Sequence, residues 1–352
     1  MSWNPLAEAS LLFCGFVMLL FLGSLVLPGR KQVGALLPNG ERPLYRLNGF
    51  LLFLLLVAAV VLGTFTFGLS LSVIYHRFWE IFAVANIVSF VASFWLYAKA
   101  KDKGPSFLKD YWYGAEFNPT LMGVDLKLFA YRPSLMGLAL INAAFAYLQY
   151  ERYGHVTLAM ALYQSMTLFY LLSSFEYENG LLSMFDMIEE KFGFMLVWGD
   201  LVLVPFFYCI PGYFLIEQSH DLPLWAAVAL VALYITGFWL FRGANAQKNR
   251  FKANPDARIW GRRAETLEGR LLISGFWGIG RKLNYTGEIL IYLSWTMLNG
   301  FQSPWPYLLP LWLASLLTHR ARRDDRRCRS KYGELWDRYC ERVRFRMFPF
   351  LY

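Results

Sequence analysis

The chain has 352 residues, of which 57% are hydrophobic, 18% aromatic and only 17% charged, with a formal net charge of +9. A soluble domain carries about 25% charged residues, so this chain lacks the polar surface that a water-soluble fold requires. Disorder, a collagen-like repeat and a disulfide scaffold are excluded by the apolar content and by the four cysteines, Cys14, Cys209, Cys328 and Cys340, which show no CxxC spacing. Excess Lys and Arg in such a chain first signals membrane topology rather than nucleic acid.

In chain order, Ala9 to Gly29, Gly49 to Tyr75, Ile81 to Ala98, Pro133 to Tyr150, Tyr153 to Phe175 and Leu222 to Phe241 each lack Asp, Glu, Lys and Arg. Each is long enough for a helix to cross about 30 Å of hydrocarbon. The first lacks the basic n-region of a signal peptide. Phe192 to Ile216 is a further candidate, interrupted by Gly199-Asp200, Pro205 and Pro211; such breaks are tolerated only where protein or a wet cavity satisfies the freed backbone. The last apolar stretch, Ile289 to Thr318, reads as two short helices with a turn near Gln302-Ser303-Pro304, and Leu271 to Ile279 is left open as an eighth span or re-entrant piece. The expected fold is therefore all-α, a polytopic integral membrane bundle of about 9–10 transmembrane segments.

Lys and Arg concentrate in the first and third loops, after Phe241 and in the C-terminal tail. Alternation puts these on one side, which is then cytoplasmic, with the N-terminus outside. The fifth loop falls there too, although it is acidic (Glu176, Glu178, Asp186, Glu189, Glu190).

Three polar constellations lie on that side. The run Phe241 to Lys252 follows a span directly. It reads either as a stop-transfer cluster anchored to lipid phosphate or as an anion site, since Lys248 and Lys252 stand one helical turn apart. The segment Trp277 to Glu288 contains Gly278-x-Gly280, but no strand precedes it and the third glycine of a dinucleotide fingerprint is missing, so a Rossmann reading fails. A turn whose glycines let backbone approach a ligand, with Asn284 and Tyr285 as hydrogen-bonding groups, is the alternative. The tail from His319 interleaves arginines with Asp324, Asp325, Glu334, Asp337 and Glu341, and carries Tyr332, Trp336 and Tyr339 at helical spacing. A plain polybasic anchor needs neither, so the tail reads as folded, with arginines held by carboxylates and available for phosphates. Together these favour a cytoplasm-facing pocket for a phosphorylated cofactor. Within the bundle, Tyr163 and Tyr170 share a helix face, either as belt anchors or as proton donors. Asp200 stands alone in an apolar span, as a functional acid or a helix cap. His76, His155, His220 and His319 show no ligand spacing, so no metal is assigned.

The pieces Leu37-Pro38-Asn39-Gly40, Leu47-Asn48-Gly49, Tyr113-Gly114-Ala115-Glu116-Phe117-Asn118-Pro119, Asp125-Leu126-Lys127, Lys191 to Leu196, Gly199-Asp200-Leu201 and Val204-Pro205-Phe206 are followed by Phe241 to Asn245, Leu283 to Gly287, Gly300 to Pro304, His319-Arg320, Arg323-Asp324 and Lys331-Tyr332-Gly333. In this order, over nearly the whole chain, they resemble the sterol reductases: the C14-reductase, C7-reductase and lamin B receptor group, the C14 reductases most of all. The resemblance implies NADPH as hydride donor and a sterol alkene, C14=C15, that is protonated before the resulting cation takes hydride. It implies a division into residues 1–240, a transmembrane bundle contributing the sterol side, and 241–352, the NADPH-binding and catalytic half. Cofactor contacts carry over to Lys248, Lys252, Leu272, Trp277, Asn284, Tyr285, Arg320, Arg323, Asp324, Cys328, Tyr332 and Tyr339, with Tyr170 as proton donor supported by Asp324.

Departures from the family pattern are Lys252 for Arg, Ser173 for an acidic residue, Ala115 for Arg, and Cys209-Ile210-Pro211 for Ser-Leu-Gln. Those on the sterol side leave the reduced bond open, with C7 or C24 reduction as alternatives. An enzyme similar to membrane isoprenylcysteine methyltransferases is an alternative of another class. The implied partners are a sterol from the bilayer and membrane lipids, without nucleic acid or an obligate protein partner; no chromatin-binding domain is expected before the first span. The implied location is the cytoplasmic membrane in a bacterium or the endoplasmic reticulum in a eukaryote.

Overall fold

The computed structural model describes residues 4–218 and 222–351, so His220 lies outside the described residues. Among the described residues, seven helices are long and apolar enough to cross a membrane: α1 (Pro5–Val26), α2 (Gly49–Phe67), α3 (Phe78–Lys99), α4 (Leu126–Tyr153), α5 (Leu158–Glu176), α6 (Phe194–Leu215) and α7 (Leu224–Ala253). Short polar side chains set several starts. Asn4 accepts from the Leu6 amide at 3.0 Å, Asp125 from Leu128 at 2.8 Å and Thr157 from Met160 at 3.3 Å, each satisfying an otherwise orphaned N–H. The stretch from Gly49 to Tyr75 is not one span: α2 stops at Gly68, whose φ of +63° makes a left-handed cap, and Ser72–His76 is a separate short helix. The interrupted stretch is accommodated inside α6 as a π-helical segment, Gly199–Phe207, which takes in both Asp200 and Pro205.

The chain divides into two compact units, Met1–Ser219 and His220–Tyr352. In the first, α4 is the most buried span. The ends of α1, α2, α4 and α5 that alternation assigns to a common side do meet there. Arg132 of α4, 3% exposed, pairs with Glu178 at 3.2 Å and also donates to Ser24 Oγ and the Arg46 carbonyl. Glu178 in turn accepts the Gly49 amide at 3.0 Å. The acidic fifth loop is thus held against the basic ones. Lys127, 1% exposed, donates to the carbonyls of Asp186, Met187 and Glu190 at 3.1, 3.1 and 2.7 Å. The first loop is a hairpin, β1 (Arg30–Val33) against β2 (Leu44–Leu47), and the third ends in a second, β3 (Thr120–Leu121) against β4 (Val124–Asp125). Two motif pieces touch backbone to backbone. Phe192 N–H donates to the Glu116 carbonyl at 2.9 Å, and a Cβ on Gly114 (φ +99°) would lie 2.7 Å from the Phe192 nitrogen. At the opposite end of the α4–α5 hairpin, Gln149 accepts the Thr157 amide at 2.9 Å.

In the second unit, α7 is followed by two hairpins, β5 (Arg258–Ile259) with β6 (Arg262–Arg263) and β7 (Thr266–Leu267) with β8 (Leu271–Leu272). Then come a one-turn helix, α8 (Phe276–Ile279), α9 (Leu283–Thr296), α10 (Leu308–Tyr332) and α11 (Glu334–Arg342). The Leu271 to Ile279 segment therefore forms no span. It is a strand, a bend at Gly275 (φ +63°) and a single turn. Ile289 to Thr318 does break in two, at a 3-10 turn and Gly300 (φ +63°). Its second helix, however, is not short: α10 runs 25 residues into the basic tail. Leu309, Leu313, Leu317 and Ala321 recur every fourth residue and are buried, so one apolar stripe keeps the helix going past the membrane-like segment. Helices α7 and α9 meet at their glycines. A Cβ on Gly237 would lie 2.8 Å from the Gly287 carbonyl oxygen, and one on Gly287 would strike the Phe241 amide, the small-residue contact of helices packed in lipid.

Candidate functional site

The polar end of α7 carries Ala244, Lys248 and Lys252 at spacings of four, hence on one face. Trp277 of α8 is locked against that face. Its indole N–H donates to the Ala244 carbonyl at 2.8 Å, and the Lys248 ammonium lies 4.7 Å from its ring centroid. Gln247 holds the start of α8 by accepting the Phe276 amide at 2.9 Å. Behind this wall Ala244, Phe251, Ile259, Leu272, Phe276, Trp277 and Leu283 form one apolar cluster. Leu272 therefore backs the Trp277 wall, 6% exposed. Lys252, one turn beyond Lys248, is exposed.

Helix α9 brings Asn284 to α7. Its Nδ2 donates to Asn245 Oδ1 at 3.3 Å, while its own Oδ1 is buried with no hydrogen-bond partner. Such an orphaned acceptor loses the hydration it would have in water. Tyr285 follows, half-buried, with the Lys282 ammonium 5.9 Å from its ring centroid. Burial pushes the Tyr285 hydroxyl above its usual value, against the pull of Lys282.

From α10, Asp324 forms an ion pair with Lys282. Arg327 Nε stands 3.9 Å from the other Asp324 oxygen, and the Cys328 thiol faces Asp324 at 3.9 Å. Burial draws the Lys282 ammonium down, but the Asp324 carboxylate outweighs it and the net shift is upward. Burial likewise raises Asp324, yet Lys282 and then Lys248 carry it below the carboxylate range. Both groups stay charged. The Cys328 thiol is pushed up to about 11 by burial and by Asp324, so it acts as a neutral neighbour. Arg320 and Arg323 sit half-exposed on the same helix. Tyr332 and Trp336 stack at 6.4 Å, Trp336 packs on Tyr339 at 5.0 Å, and the Tyr339 hydroxyl donates to the Trp277 carbonyl at 3.2 Å. The tail is folded into the unit.

The structure thus gathers Lys248, Trp277, Asn284, Tyr285, Asp324 and Cys328 in one unit, with Tyr332 and Tyr339 in an adjoining aromatic cluster. Tyr170 belongs to the other unit, half-buried on α5 two turns from Tyr163, which is fully buried and donates to Asn142 at 3.1 Å. One site residue was missed from the sequence: Lys282, 6% exposed, supplies the countercharge at the centre. Its signal was a Lys two residues before Asn284, masked because cations near a span read as topology.

The sequence pattern of the family described as "Ergosterol biosynthesis ERG4/ERG24 family" matches residues 2–352. Among curated relatives, the Delta(14)-sterol reductase of Methylotuvimicrobium alcaliphilum is 40% identical over 99% of this chain and 86% of its own length. That of Arabidopsis thaliana is 37% identical over 96% of this chain and 94% of its own. The mouse Delta(14)-sterol reductase TM7SF2 is 36% identical over 99% of this chain and 86% of its own. With the pattern matched from end to end and relatives this similar over nearly their full lengths, the chain belongs to the ergosterol biosynthesis ERG4/ERG24 family.

Proposed function

We propose that this multi-pass membrane protein is an NADPH-dependent sterol reductase that saturates the C14=C15 bond of a sterol drawn from the bilayer. The observation that carries the reading is the polar set of the second unit. Lys282 pairs with Asp324, and Lys248 lies against the Trp277 ring with Lys252 one helical turn beyond it, in the same unit as the buried orphan acceptor of Asn284. Phosphate groups need such fixed cations. An unpartnered amide oxygen suits a donor such as a ribose hydroxyl or a carboxamide. The residues present therefore fit a phosphorylated nicotinamide cofactor, with residues 241–352 as its half of the chain.

NADPH, when bound, supplies the hydride. The chain's own contribution is to hold and to protonate. Lys248 stays against the Trp277 face and is placed to meet a phosphate; Trp277 itself is fixed at both its indole N–H and its carbonyl. Lys282 spends its charge on Asp324 and keeps that carboxylate ionised. Tyr170 is the proposed proton donor, and Asp324 is the second residue assigned to the catalytic step. A phenol that stays protonated at pH 7 is a suitable acid toward an alkene only where water is excluded, and a lipid-embedded helix provides that. One proton and one hydride add across the double bond, so the balance is that of a saturated ring.

The test is incubation of the purified full chain with a C14-unsaturated sterol and either NADPH or NADH. Saturation with a preference for NADPH is expected, and Lys248→Ala should erase that preference. No saturation of any C14 alkene would overturn the reading.

A further inference from the structure

The run from Phe241 to Lys252 admits two readings, and the structure gives each its own face of α7. At about 100° per residue, Trp239, Gly243 and Arg250 lie on the side opposite Lys248 and Lys252. On that far side a cleft opens between α7 and the β5–β6 hairpin, lined by Trp239, Gly243, Arg250, Arg258, Trp260 and the edge of Phe276. The geometry points to this cleft as a binding site for one anionic phospholipid, its phosphate between Arg250 and Arg258 and its acyl chains against the tryptophans.

Position argues first. Trp239 lies near the end of the charge-free stretch that closes at Phe241, at the inner limit of the hydrocarbon, and Arg250 is eleven residues further along the helix. Eleven residues rise about 16 Å along the axis, so the cleft runs from the hydrocarbon edge through the headgroup layer, and a long guanidinium side chain tilted toward the helix N-terminus covers part of that rise to meet a phosphate. The aromatic wall argues second. The buried Phe276 ring is flanked edge-on by Trp239 at 4.8 Å and Trp260 at 5.0 Å, yet these two indoles are 57% and 58% exposed. Paired indoles at that level are interfacial anchors. Trp260 is also held at the hairpin tip with φ +50°, followed by Gly261 at +80°. This is a conformation that glycine adopts at less cost, so the exposed indole stays there against local preference.

Charge argues third. The cleft lining holds two guanidinium groups and no carboxylate. Asp256, the acid nearest in sequence to Arg258, is committed to Arg263 at 2.6 Å. Neither the Arg250 nor the Arg258 guanidinium makes a hydrogen bond or ion pair among the described residues. Gln247, the one amide side chain in the lining, is engaged through its Oε1 by the Phe276 amide. Two unpaired guanidiniums above an apolar wall match a phosphodiester carried on acyl chains. The quaternary ammonium of a phosphatidylcholine headgroup opposes them.

The test uses the full chain in detergent, titrated with phosphatidylglycerol, phosphatidylcholine and inorganic phosphate and read by native mass spectrometry. The chain should retain phosphatidylglycerol in preference to phosphatidylcholine, and inorganic phosphate at equal concentration should not displace it. Arg250→Gln with Arg258→Gln should lower phosphatidylglycerol affinity at least about tenfold, Arg250→Lys with Arg258→Lys should keep most of it, and NADPH affinity should be unchanged in both. Undiminished phosphatidylglycerol binding in the Gln pair, equal retention of phosphatidylcholine, or displacement by inorganic phosphate would overturn the proposal. So would a parallel loss of NADPH affinity, because the two faces would then not be separate. The inference does not depend on which sterol bond is reduced.

Discussion

Asp324 and Lys282 neutralise each other in a part of the second unit where neither side chain exceeds 15% exposure. Removing one partner of such a pair strands the other, at a cost of about 3–5 kcal/mol. Asp324→Asn is therefore expected to lower the unfolding temperature more than any surface substitution, and Asp324→Leu with Lys282→Met should recover part of the loss, as thermal unfolding in detergent would read. The pH response follows from the two shifts. The Asp324 value is depressed in the fold, so its contribution is present above the unfolded carboxylate pKa and fades as pH falls through the folded value. The Lys282 value is raised, so its contribution is present below the unfolded ammonium pKa and fades as pH rises through the folded one. Stability from this pair should be level across neutral pH and decline at both extremes. Cys328 offers a second check. With its thiol pushed up to about 11, only about one molecule in a thousand is thiolate at pH 8, so alkylation there should be very slow until the protein is unfolded.

Helix packing and site geometry are coupled through single glycines. Gly237 and Gly287 let α7 and α9 touch at the backbone, and that contact lies one turn from Asn284, which reaches Asn245 across the same seam. Gly287→Val should push α9 off α7 and weaken NADPH binding at least tenfold, whereas Gly15→Val, which meets nothing within 4 Å, should leave it intact; a cofactor titration separates the two. In the first unit, Lys127 is the tie for the fifth loop. Lys127→Met would leave three carbonyls without their ammonium donor. At roughly 1–3 kcal/mol for a buried group left unsatisfied, the loop from 177 to 191 should open, and limited proteolysis there should quicken.

For the molecule as a whole, the charge distribution and the apolar runs were enough to read a helical membrane protein, because a bilayer admits so few backbone solutions. The bends were harder to read. Nothing in a charge-free run announces that Gly68 will turn left-handed while Gly63, five residues earlier, continues a helix. Nor does the apolar content of Leu271 to Ile279 reveal that a hairpin takes its first two residues. The residues proposed for the cofactor were legible through family motifs, whereas Lys282 was not. Its function comes from Asp324, 42 residues away, and sequence spacing cannot show that partnership. The topology is open to direct measurement: reporter fusions should place the first loop and the C-terminal tail on the cytoplasmic side and the N-terminus outside.

The Arg132–Glu178 contact bears on how the protein is made. These two residues stand 46 positions apart at the same mouth of the α4–α5 hairpin, and Gln149 closes the other mouth. An arginine released alone into hydrocarbon costs several kcal/mol, so α4 gains by waiting beside the insertion machinery until α5 has emerged from the ribosome. The two helices then leave as one neutral package. A nascent chain arrested before residue 178 has left the ribosome should accordingly keep α4 crosslinked to the insertion machinery, and one arrested after it has emerged should not.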